Sequence, residues 1–192
     1  MLAAGLSKRM GYPKQDVMLG GMTMLELSML AFTSSNVDEL VVIINKPFSR
    51  KIPPGKLSPR FVLNPEPSRG LSSSLSLGIE SLSTGCEAVV LGLGDKPLVL
   101  PSTINRLITV FKKKGATIVV PTYRGARGNP ILFHRRFFPS ILQVRGDRGA
   151  KGVVGANASD VEEVEVEDEG ILLDVDTPDD VAKAEAVLAA RA

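Results

Sequence analysis

A small set of charged residues carries the chemistry that this chain could perform. Asp95 ends the apolar run AVVLGLG and precedes Lys96-Pro97. A carboxylate at the end of a strand either faces a ligand crevice, where it would hold Mg²⁺ beside a polyphosphate, or starts a turn before proline. Asp174 and Asp176 are two apart in GILLDVD, which reads as a short strand, so both point to one face. They offer either a second acidic group for a metal site or a turn and cap before Thr177. In the opening stretch MLAAGLSKRMGYPK, Leu2 and Ala3 end a strand, and Ala4 and Gly5 turn the chain. The glycine lets backbone N–H groups approach an anion closely. Arg9 adds a planar fork for phosphate oxygens, and Lys14 adds a mobile point charge. Together they suit a polyphosphate; the alternative is a surface turn with solvated cations. The stretch matches neither G-x-x-x-x-G-K-[ST] nor G-x-G-x-x-G. Arg124, Arg127, Arg145, Arg148 and Lys151 sit among Gly125, Gly128, Gly146 and Gly149. They are a second anion site, helped by backbone amides, or solvated charge.

The elements that must position these residues follow from patterning. Met22 to Phe32 is rich in helix formers, and VDELVVIIN, FVLN, CEAVVLGLGD and ATIVVPTY read as strands. SSSLSLGIESL is helical, with Leu75, Ile79 and Leu82 about one turn apart. PSTINRLITVFKKKG is a helix with Ser102 as expected N-cap, lysines in its last turn and Gly115 closing it. VEEVEVED alternates as a half-exposed strand, and in DTPDD Thr177 caps a final helix with Pro178 at its first position. Strands alternating with helices predict an α/β fold with a mostly parallel sheet covered on both faces. In such sheets the ligand lies at the carboxyl ends of the strands.

The totals narrow the choices. The 192 residues suit one domain spanning the whole chain. A net charge of +2 does not announce nucleic acid. One cysteine excludes an internal disulfide, and one histidine excludes a two-histidine metal site. Cys86 with His134 is the sole protease-type pair available, and Cys86 reads as a core or loop residue beside a strand. No apolar run reaches the ~18 residues of a membrane span, so the expected location is the cytoplasm.

These stretches resemble a known family. L-A-A-G-L-S-K-R-M-G followed by Lys14 is similar to the L-A-A-G-x-S-x-R-M-G…K signature of MobA-like nucleotidyltransferases, on the branch of molybdenum cofactor cytidylyltransferases. GLSSSLSLGI (70–79), GDKPLV (94–99), PTYRGARGNPILF (121–133), GDRGAKGVV (146–154) and LLDVDTPDD (172–180) agree in order. The resemblance implies a Rossmann-like three-layer α/β/α sandwich and transfer of a nucleotidyl group from an NTP to an acceptor phosphate. It implies that Leu2, Ala3, Ala4, Gly5, Ser7, Arg9 and Lys14 wrap the nucleotide, and that Ser73, Ser74 and Leu75 lie near base and sugar. It makes Arg9, Lys14 and Asp95 catalytic, and Asp95 and Asp176 ligands of Mg²⁺ (or Mn²⁺). Residues 1–123 would form the nucleotide-binding part and residues 124–192 the acceptor-binding and sheet-completing part, with Arg124, Arg127, Asn129 and Arg148 meeting the acceptor, a molybdopterin. Ala4 and the run Ser72 to Leu75 resemble the cytidylyl branch, hence CTP. Guanylyl transfer from GTP, sugar-phosphate nucleotidyl transfer and a non-catalytic cofactor chaperone are the alternatives. The implied setting is a monomer or weak dimer serving a molybdenum hydroxylase. Three departures carry expectations. With only Met1 ahead of L-A-A-G, the first strand is very short or begins upstream. Asn129 stands where relatives often have His. Lys96 follows the metal aspartate and would pair with phosphate or compete with the metal.

Overall fold

The computed structural model describes residues 1–7, 12–50, 52, 55–147 and 149–191. In chain order the strands and helices are β1 (Leu2–Ala3), β2 (Met18–Leu19), β3 (Met22–Thr23), α1 (Met24–Thr33), β4 (Val41–Ile44), β5 (Arg60–Leu63), α2 (Leu71–Glu80), β6 (Ala88–Leu91) and α3 (Pro101–Lys114). There follow β7 (Ile118–Tyr123), β8 (Ala126–Arg127), β9 (Ile131–His134), α4 (Phe138–Leu142), α5 (Lys151–Ala156), β10 (Val161–Glu165) and α6 (Pro178–Arg191).

The main sheet runs in two sections that meet at β1. Strand β1 pairs in parallel with β4 (Leu2 with Ile43, Ala3 with Ile44), and β4 in parallel with β5. On its other side β1 meets the chain beyond β6: the Leu2 amide donates to the Gly92 carbonyl at 2.9 Å, and the Gly94 amide to the Leu2 carbonyl at 2.8 Å. From there the order continues β6, β9, β7, β10. Strand β10 is parallel to β7, while β9 is antiparallel to both β6 and β7. The first strand, expected to be very short, has two residues and still occupies the seam of the sheet.

Alternation within the strands builds two cores. Leu2, Ile43, Leu91, Ile118, Val120 and Phe133 face one side, against Leu75 and Ile79 of α2, Ile141 of α4 and Val153 of α5. Ala3, Val42 and Ile44 face the other, against Leu25, Met29 and Phe32 of α1 and Ile104 of α3. Val119 and Leu132 join that side through Leu107 and Val110 of α3. Each fully buried side chain of this kind contributes about 1.5–3 kcal/mol by leaving water. The result is the expected Rossmann-like α/β layering, helices on both faces of a mostly parallel sheet. Helix α6 packs apart from these, burying Ala184 with Val17, Leu19, Leu98 and Val175.

Helix ends agree with the sequence only at some positions. Thr23 and Glu26 form a reciprocal capping box on α1. Asp180 and Thr177 do the same for α6, the Thr177 amide donating to Asp180 at 3.0 Å. Gly115 closes α3 with φ +63°. Ser102 is not the cap of α3: Leu100 holds that position with Pro101 in the first turn. The helix start is served instead by buried Asp168, which accepts from the Leu100 amide at 2.9 Å and the Thr103 hydroxyl at 2.6 Å. A proline at the first helical position leaves a distant carboxylate free to satisfy the remaining donors. GILLDVD is not a strand either. It forms a 3-10 turn at Glu169–Ile171 and then an irregular segment.

Candidate active site

Parallel strands bring four turns to one edge of the sheet, those after Ala3, Ile44, Leu63 and Leu93. The turn after β1 is fastened by side chains. Asn45 donates to the Gly5 carbonyl at 3.1 Å, and buried Gln15 donates through Nε2 to the Ala3 carbonyl. Ser7 adopts φ +52°, and its hydroxyl accepts from the Lys14 amide at 3.0 Å. Pro13 then leads into a 3-10 turn, Lys14–Asp16. Residues 1–4 are buried, so Leu2, Ala3 and Ala4 present backbone, not side chains, at this edge.

Lys14 is the hub. Its Nζ lies 2.5 Å from Asp95 Oδ2 and 2.9 Å from Asp176 Oδ1, with all three side chains largely buried. The two aspartates arrive by separate routes. Gly94 holds Asp95 against β1, where an added Cβ would come within 2.8 Å of the Ala3 Cβ, so only glycine fits. The Val175 amide donates to the Asp95 carbonyl at 3.0 Å, which sets Asp176 beside Asp95. Burial works to lower the Lys14 pKa, but the charges and hydrogen bonds of Asp95 and Asp176 outweigh it and raise it, so the ammonium is retained. Asp95 Oδ1 is buried and has no hydrogen-bond partner among the described residues. An orphaned carboxylate oxygen of this kind costs free energy unless something cationic or protic meets it.

That arrangement fits a divalent cation. Two carboxylates face the Lys14 ammonium, and the buried Asp95 Oδ1 beside them has no hydrogen-bond partner among the described residues. No group of three or more His, Cys, Asp or Glu gathers among the described residues. Mg²⁺ and Mn²⁺ suit such a site, because Mg²⁺ is commonly held by one or two carboxylates and completed by substrate phosphates and water.

The other expected residues divide. Ser73 and Ser74 lie in the first turns of α2, where the Asn64 amide donates to each hydroxyl at 3.0 Å. Leu75 is 1% exposed and belongs to the core between α2 and the sheet; it cannot touch a ligand by its side chain. Gly146 and Asp147 pack on the start of α2: Asp147 accepts from the Leu71 amide at 3.1 Å, and the Ser72 amide donates to the Gly146 carbonyl at 3.0 Å. Asn129 lies between β8 and β9, its amide donating to the Ile171 carbonyl at 3.1 Å, just ahead of the segment that carries Asp176. Arg124 and Gly125 form the tight turn of the β7–β8 hairpin, both with positive φ. The Arg124 amide donates to Glu165, and its guanidinium lies over the Tyr123 ring. Arg127 is paired with Glu163 of β10 at 2.5 Å, so its charge is already matched from across β7. Arg9 and Arg148 lie outside the described residues.

Two further expectations change. Lys96 is buried, 4% exposed, and its charge is taken up by Asp174 at 2.9 Å. Asp174 therefore serves Lys96, while Asp176 serves Lys14. Cys86 and His134 form no catalytic pair. Cys86 Sγ donates to the Ala88 carbonyl, burial pushes the thiol pKa up, and His134 Nδ1 accepts from the Arg136 amide. Asn64 and Gln15 join this edge without an evident sequence motif, and Asp147 joins it from within GDRGAKGVV (146–154). Asn64 carries one signal, a polar residue directly after a short strand.

The MobA-like NTP transferase domain model matches residues 1–162. The purine catabolism protein PucB of Bacillus subtilis (strain 168) is 30% identical over 195 residues, covering 93% of this chain and 91% of that protein. The molybdenum cofactor cytidylyltransferase of Escherichia coli (strain K12) is 31% identical over 188 residues, covering 95% and 92%. Among solved structures, Rv0371C of Mycobacterium tuberculosis H37Rv in complex with manganese is 26% identical, covers 96% of this chain and 95% of its own, and superposes with a TM-score of 0.76.

Proposed function

Because this chain belongs to the MobA-like NTP transferase family and is therefore a nucleotidyltransferase, we propose that it transfers CMP from CTP to the terminal phosphate of a molybdopterin-type acceptor. The observation that carries the reading is the bridge from Lys14 to Asp95 and Asp176 at the carboxyl edge, with one buried Asp95 oxygen left unsatisfied among the described residues. Preference for CTP draws on Ala4, on the run Ser72 to Leu75, and on the likeness to the E. coli cytidylyltransferase.

In the proposed reaction an acceptor phosphate oxygen attacks the α-phosphorus of CTP in line. A new P–O bond forms, the bond to the β-phosphate breaks, and pyrophosphate leaves with that electron pair. The nucleophile is already an anion, so no general base is needed. Asp95 and Asp176 would hold a divalent cation, which when bound supplies Lewis-acid charge to phosphate oxygens. Lys14 stabilises negative charge that grows on the departing pyrophosphate. The amides around Gly5 and Ser7 cradle phosphate, and Ser73 and Ser74, held by Asn64, orient base and sugar. Asn129 and Arg124 belong to acceptor binding, whereas Arg127 is held by Glu163 and serves the sheet.

The test is pyrophosphate release with each of the four NTPs, molybdopterin and Mg²⁺ or Mn²⁺. CTP is expected to give the fastest turnover. Turnover with GTP alone replaces the base assignment and keeps the reaction class. Binding of nucleotide with no release from any NTP overturns the acceptor.

A further inference from the structure

We propose that Lys14 acts as a resident cation that keeps free divalent metal off Asp95 and Asp176, so that metal enters only together with the nucleotide. The proposal rests on the reading of Asp95 and Asp176 as metal ligands. The Lys14 ammonium sits 2.5 and 2.9 Å from one oxygen of each carboxylate. A divalent ion bridging the same two carboxylates must displace that ammonium or sit beside it against direct charge repulsion, which is strong where solvent is scarce. The neighbouring Asp95 oxygen, buried and without a hydrogen-bond partner among the described residues, shows that the lysine leaves Asp95 incompletely satisfied.

The lysine is also able to leave. Its four-carbon stem is flexible. Solvent reaches it at 15% exposure, in contrast to Lys96, which is sealed at 4% against Asp174. An incoming triphosphate offers the ammonium replacement oxygens. Once it swings to them, Asp95 opens to the metal, which the same phosphates help to ligate. Metal and nucleotide then favour each other's binding by one reciprocal factor. The device prevents a metal-loaded site from sitting idle without substrate.

The experiment is Mn²⁺ binding followed by electron paramagnetic resonance, without nucleotide and then with a non-hydrolysable CTP analogue. It compares wild type with Lys14→Met, and with Lys14→Gln should the methionine variant melt early. Without nucleotide, Lys14→Met is expected to bind Mn²⁺ at least ~10-fold more tightly than wild type, from removal of one nearby positive charge. The double variant Lys14→Met with Asp95→Asn is expected to lose that gain. Equal Mn²⁺ affinity in wild type and Lys14→Met overturns the exclusion role and leaves the metal site standing. A gain that survives Asp95→Asn overturns it as well, because the metal then sits elsewhere. Failure of wild type to bind Mn²⁺ even with the analogue overturns the metal reading itself.

Discussion

Lys14 meets Asp95 across 81 residues of sequence and Asp176 across 162, whereas Arg127 meets Glu163 on the face of one small sheet region, two strands away. The first group is drawn together by topology: the turn after β1, the turn beyond β6 and the segment before α6 meet at one sheet edge, largely out of water. The second is a cross-strand pair with both side chains about half exposed. An exposed pair of that sort contributes about 0.2–1 kcal/mol and is screened by salt. A cluster that still leaves a buried Asp95 oxygen unmet among the described residues gains no stability from that oxygen. The difference separates charge kept for a ligand from charge that fastens strands.

Mutation should widen that contrast. Asp95→Ala is expected to lower turnover ~100-fold or more, the scale seen when a charge-stabilising group is removed from a transition state. Arg127→Ala is expected to stay within about threefold of wild type, since an exposed ion pair carries little energy. Steady-state pyrophosphate release on both proteins, with circular dichroism to verify folding, measures the gap. Similar losses in the two would erase the distinction.

Lys14→Ala sharpens it further, because two readouts should move in opposite directions. Turnover is expected to fall ~100-fold through loss of charge on the leaving pyrophosphate. Mn²⁺ affinity without nucleotide is expected to rise. A lysine that merely braced the turn would lower both.

The smallest effect belongs to a carboxylate buried for structure. Burial works to raise the pKa of Glu26, but the amide and hydroxyl of Thr23 and the Arg50 guanidinium outweigh it and hold it below its ordinary value of 4.5. A carboxyl whose folded pKa is depressed stabilises the fold above its unfolded pKa and loses that contribution as pH falls through the folded value. Thermal melting should therefore show wild type above Glu26→Gln by a constant margin at neutral pH, the loss of a capping interaction being about 1 kcal/mol. The margin should shrink as pH drops below 4.5. Turnover at neutral pH should be unchanged.

Much of this is legible in the chain. The β-branched runs form β4, β6 and β7, and Gly115, Thr177 and Pro178 end or begin helices where their types require. Lys14, Asp95 and Asp176 are each readable from type and setting, and the structure brings both carboxylates within hydrogen-bond distance of the lysine. The pairing of Lys96 with Asp174 is not readable. It depends on residues 172–176 running irregularly, so that neighbouring aspartates serve different lysines. The cap on α3 escapes local rules for a related reason: Ser102 is local, while Asp168 comes from 65 residues beyond Thr103. Asn64 is hard to single out because a lone asparagine after a strand looks like any turn residue until α2 sets two serines beneath it. Local rules expose helix ends and strand runs; partners fixed by long-range packing stay hidden.

The divalent ion and the triphosphate are expected to meet at Asp95. Phosphorus electron–nuclear double resonance on Mn²⁺ with a non-hydrolysable CTP analogue tests this most directly. Wild type should give a protein-bound manganese signal coupled to phosphorus, and Asp95→Asn should lose the protein-bound signal while remaining folded. An unchanged bound signal in Asp95→Asn would contradict the account.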